Sequence, residues 1–80
     1  MPKITEMYAF IAREGGPDDE GIVACQMGAM MMPLVGGDPA RIESLRQLAQ
    51  QVADLTGKPQ TLVRFSVREE LDAIVPRKVQ

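Results

Sequence analysis

From Ile4 to Arg13 the chain is apolar in both phases of a two-residue alternation. In extended backbone successive side chains leave on opposite faces, so Tyr8 and Phe10 share one face and Met7, Ala9 and Ile11 the other. A strand apolar on both faces belongs in the middle of a sheet. Glu14-Gly15-Gly16-Pro17-Asp18-Asp19-Glu20-Gly21 then reads as a turn, and Ile22 to Met27 as the returning strand. Gly28-Ala29 marks a second turn before a third extended run, Met30 to Val35. Pro33 cannot donate a ladder hydrogen bond, which confines that run to a sheet edge.

After Gly36-Gly37 the period changes. Ile42, Leu45, Leu48, Ala49, Val52 and Leu55 recur at three- and four-residue steps and form one helical stripe. Asp38 supplies an N-cap, Pro39 suits the first turn, and Gly57 followed by Lys58-Pro59 ends the element. Thr61-Leu62-Val63-Arg64-Phe65 is a compact strand. Ser66 with Glu69 three residues on matches a capping box, and Val67, Leu71 and Ile74 follow at i, i+4 and i+7. A short amphipathic helix is therefore expected up to Val75, with Pro76 stopping it and residues 76–80 fraying.

The expected fold is one α+β domain over residues 1–80, in the order β-β-β-α-β-α. A crossover helix lays the fourth strand beside the first. That gives a four-stranded mixed sheet of order 3-2-1-4, with the long helix and the short C-terminal helix packed on it. The β-β-β-α-β order loosely resembles the truncated ribonuclease-H-like domains of small antitoxins in the HicB family. The resemblance is one of topology and carries over no functional residue.

Composition narrows the function. Eighty residues suffice for one domain but leave no surplus core from which to build a deep, dry pocket. Tyr8, Phe10 and Phe65 are the only aromatics, so six methionines supply much of the remaining bulk, and methionine packs adaptably. Histidine is absent, which removes the commonest general base and metal ligand. No enzymatic activity and no cofactor are expected. Cys25 cannot form an internal disulfide, the first residues lack an apolar leader pattern, and no run is long enough to span a bilayer. A cytoplasmic, membrane-free protein is the corresponding expectation.

Each candidate for chemistry has a plainer reading that outweighs it. Glu14, Asp18, Asp19 and Glu20 offer oxygen ligands of the kind calcium uses, but their spacing fits no EF-hand loop and solvation alone predicts a charged turn. Met27, Met30, Met31 and Met32 lie near Cys25, yet alternation splits them between faces, against a copper site. Cys25 itself reads as a small buried hydrophobe. Gly36-Gly37-Asp38 precedes a helix N-terminus but lacks a P-loop ending, and Asp38 would repel phosphate. Arg41, Arg46, Arg64 and Arg68 have no stacking platform beside them, and net charge is −2, which disfavours nucleic acid.

What remains is apolar surface. Two helices can seal one face of a small sheet, and the other face would stay in water. The expected function is a noncatalytic protein-interaction or regulatory module acting as a homodimer, with another protein as second candidate partner. Met30, Met31, Met32, Tyr8 and Phe10 form the expected surface. The alternative is a regulator binding a small ligand or nucleic acid, antitoxin-like.

Overall fold

The computed structural model describes residues 3–77. Its elements run β1 (Met7–Arg13), β2 (Glu20–Ile22), β3 (Ala24–Met27), β4 (Met30–Pro33), β5 (Val35–Gly36), α1 (Pro39–Thr56) and β6 (Thr61–Phe65). The α+β class holds, with several antiparallel strands and one helix. β1 is central: β2 and β5 both lie on one flank of it, β6 on the other. Every pairing is antiparallel, so the expected mixed sheet is corrected.

The two long strands expected after the acidic turn are each broken, at Val23 and at Leu34. The intervening residues form a separate two-stranded hairpin, β3–β4, with Gly28-Ala29 as its two-residue loop. Gly28 has φ 64, and no non-glycine residue among those described has a positive φ. A positive first and negative second central φ is the pattern of a type II′ hairpin turn, which matches strand twist. Pro33 sits on β4, whose only partner is β3, so its missing N–H disturbs no central ladder.

The breaks are stitched by a closed ring of three backbone hydrogen bonds. Val23 N–H donates to Phe10 O (2.8 Å), Leu34 N–H to Val23 O (2.9 Å), and Phe10 N–H to Leu34 O (3.2 Å). Val23, Cys25, Met32 and Leu34 all alternate onto the helix side. Bending at Val23 and Leu34 carries Cys25 and Met32 onto the core beside α1, where both are half-buried. β5 then takes the flank of β1 that β2 has vacated. This bend is why the simple order 3-2-1-4 does not describe the sheet.

Helix α1 follows its sequence signals closely. Asp38 Oδ1 accepts from Ala40 N at 2.8 Å, and Gly57 takes the left-handed conformation (φ 71) with its N–H on Ala53 O. Ile42, Leu45 and Ala49 are buried against Phe10, Val23 and Leu34, while Leu48 and Val52 are half-buried. Leu55, expected in the stripe, is 87% exposed, because at 3.6 residues per turn it falls on the flank of the direction that Ile42, Leu45 and Ala49 share. The Gln60 side chain donates to Ala49 O at 3.0 Å and fixes the return from helix to β6.

The expected C-terminal helix is not formed. Residues 66–77 have no regular structure, and Val67, Leu71, Ile74 and Val75 are exposed. Ser66 therefore caps nothing. A nine-residue helix is below the length at which propensity and a cap sustain it alone, and its stripe residues pack on no described element. Of the expected frayed tail 76–80, residues 78–80 lie outside the described residues.

Candidate interaction surface

Because α1 packs on the Tyr8–Phe10–Ala12 side of β1, the opposite face of the sheet has no helix over it. Cross-strand register shows what it carries. Directly paired residues point to the same side, so Met7 and Phe65 share this face, as do Ala9, Val35 and Val63, and Ile11, Ile22 and Thr61. Ala9 and Ile11, flanked on both sides by these neighbours, are buried. The surround is not: Ile22 is 56% and Phe65 53% exposed, and Met7 is also open to solvent. Ile4 and Met7 converge beside Gly37, each 3.6 Å from where a Cβ on that glycine would stand. They extend the apolar face toward the first described residues, where a shallow cleft of about 520 Å3 includes Ile4, Met7, Phe65, Val67 and Arg68.

The residues singled out from sequence are dispersed. Phe10 is in the core under α1, and Tyr8 is half-buried on the same side. Met32 packs half-buried against that core, whereas Met30 (74% exposed) and Met31 stand out at the hairpin end. Pairing puts Met27, Met30 and Met32, with Cys25, on one side of the hairpin and Met31 with Gln26 on the other, so Met31 is the methionine of this segment set apart. Of the four-stranded sheet's exposed large apolar residues, Met7, Ile22 and Phe65 lie on the other phase of β1 and its partners, and Leu62, paired with Phe10, on the helix side. Sequence recognised both phases of β1 but not which one the helix would seal.

The acidic turn is engaged in surface ion pairs. Lys58 Nζ lies 3.0 Å from Glu14 Oε1, and Arg13 Nη2 3.1 Å from Glu20 Oε2. Such exposed pairs contribute about 0–1 kcal/mol each. They border an open cleft of about 390 Å3 between the turn, the hairpin and the end of α1. Among the described residues no three Cys, Asp or Glu side chains converge in a metal-holding group. No helix of the described residues is long and apolar enough to cross a membrane.

The Tyr8 hydroxyl donates to Glu6 Oε2 at 2.7 Å, and this hydrogen bond, with desolvation and the Glu6 charge, raises its pKa above 10.0. The protonated phenol is the favoured form. Its stabilising contribution is present below the unfolded value and lost as pH rises through the raised folded one. Tyr8 is the chain's single tyrosine, so tyrosinate absorbance reads it alone. The titration midpoint is expected above the ordinary value and should fall in Glu6→Ala. An unchanged midpoint in that variant would remove the hydrogen bond as the cause.

No family model, curated protein or solved structure matches the chain.

Proposed function

We propose that the protein is a noncatalytic interaction module that works as a homodimer in the cytoplasm. The observation that carries this reading is the sheet face bearing Met7, Ile22 and Phe65, which no described element covers. Large exposed apolar side chains grouped on one face are costly in water and typical of contact surfaces. A two-fold axis suits such a face, since each copy presents the same residues to the other. Absence of histidine, together with the pairing of Glu14 and Glu20 with cations, supports a binding role over a catalytic one. A lone, half-buried Cys25 is in keeping with a reducing compartment.

Sedimentation equilibrium of the full chain over a wide concentration range tests the dimer. The expected species has twice the 8.8 kDa chain mass, and Ile22→Glu should shift it toward the monomer by placing a carboxylate in the contact. A strict monomer at every concentration refutes the reading.

A further inference from the structure

The chain carries a second uncovered apolar surface besides the sheet face. Val67, Leu71, Ile74 and Val75 are all exposed, Ile74 at 98%, and the first three keep the i, i+4, i+7 spacing of a helical stripe. Ser66 and Glu69 stand where a capping box needs them. The segment thus has a helix's start signal, its apolar periodicity and its stop at Pro76, and lacks only a surface to pack on. We infer that residues 66–75 of one copy fold into a helix on the open sheet face of a second copy, and that the exchange is reciprocal. This inference rests on the homodimer proposed above and names what covers its contact face.

Area favours this occupant. A large aliphatic side chain presents on the order of 100 Å2. The four segment residues with Ile4, Met7, Ile22 and Phe65 therefore offer each copy about 800 Å2 of apolar surface, which is what one partner contributes to a standard-size interface. Either surface alone would give about half of that. Folding back onto the chain's own face is opposed by the geometry that follows β6. No glycine or proline lies between Phe65 and Val67 to reverse the chain, and Val67 is β-branched. Arg68 donates to Ile4 O (3.4 Å) and to Glu70 Oε1 (3.0 Å), and Val67, Leu71 and Ile74 stay exposed, so the segment does not pack on its own sheet face. The described chain accordingly extends to 52 Å, with a radius of gyration of 15.7 Å against about 12 Å for a compact domain of this length.

The test uses two full-length variants, one for each surface: Leu71→Glu with Ile74→Glu in the segment, and Ile22→Glu with Phe65→Glu on the face. Sedimentation equilibrium gives the oligomer, and far-ultraviolet circular dichroism gives helix content as the chain is concentrated. Wild type is expected to gain helix as it dimerises. Each variant alone should dimerise at least about 30-fold more weakly. An equimolar mixture should form a heterodimer, because the intact segment of one variant meets the intact face of the other. A segment variant that dimerises as well as wild type, beside a monomeric face variant, overturns the exchange but keeps the homodimer. Dimerisation without gain of helix overturns the exchange as well. A monomeric wild type whose segment is already helical overturns both readings.

Discussion

Leu34→Ala is expected to destabilise the protein by about 3–5 kcal/mol, near the top of the range for truncating a leucine. Leu34 is the most deeply buried large side chain, with no exposed surface, and it sits where β4, β5, β1 and α1 meet. An alanine keeps its backbone N–H and C=O in the three-bond ring with Val23 and Phe10, so the loss reports the side chain alone. For a chain of this length total stability is about 4–12 kcal/mol, so the loss is a quarter of the total or more. Denaturant titration at constant slope reads the change. A loss below about 1 kcal/mol would mean that the junction is not the core's centre. Leu48, in the middle of the helical stripe but only half-buried, should lose clearly less.

The two phenylalanines separate the two faces of the sheet. Phe10→Ala removes a buried ring from under α1 and should cost about 3–5 kcal/mol at any protein concentration. Phe65→Ala, on the open face, should cost the isolated chain under about 1 kcal/mol. Its effect should instead appear in the assembly, as weakened self-association. Thermal or denaturant unfolding at low concentration, paired with sedimentation at high concentration, distinguishes the two. Equal destabilisation of the dilute chain by both would show that the second face is not open.

These faces mark what could be read from the sequence and what could not. The helix from Pro39 to Thr56 was legible to the residue because its signals are local: Asp38, the 3–4 spacing and Gly57 each act within a turn or two. The middle position of β1 was also legible, since apolar side chains in both phases leave no solvent side. The bends at Val23 and Leu34 were not. Val23 and Cys25, and likewise Met32 and Leu34, keep the alternation of an unbroken strand straight through each bend, so the pattern carries no mark of it. The side of β1 that α1 covers was equally hidden, because Tyr8 with Phe10 and Met7 with Ile11 are both apolar enough to be core. That ambiguity placed Phe10 on the candidate surface and left out Ile22 and Phe65. The segment after Phe65 shows the converse failure: its helical pattern is plain in the sequence, but a pattern cannot form a stable short helix without something to bury it against.

The ring at Phe10 also says where this fold can change length. Val23 and Leu34 both stand opposite Phe10, one bonded to its carbonyl and the other to its amide, and their own backbones are bonded to each other. Joining Val23 directly to Leu34 would leave two residues facing one, the arrangement of a β-bulge, which antiparallel sheets accommodate readily. The hairpin between them is in this sense an insertion into a single edge strand made of β2 and β5. It can lengthen, shorten or exchange its tip without shifting the register of β1 against either flank. Variation in chain length should therefore collect between residues 24 and 33, at the methionine-bearing tip, while the strands on either side keep their pairing.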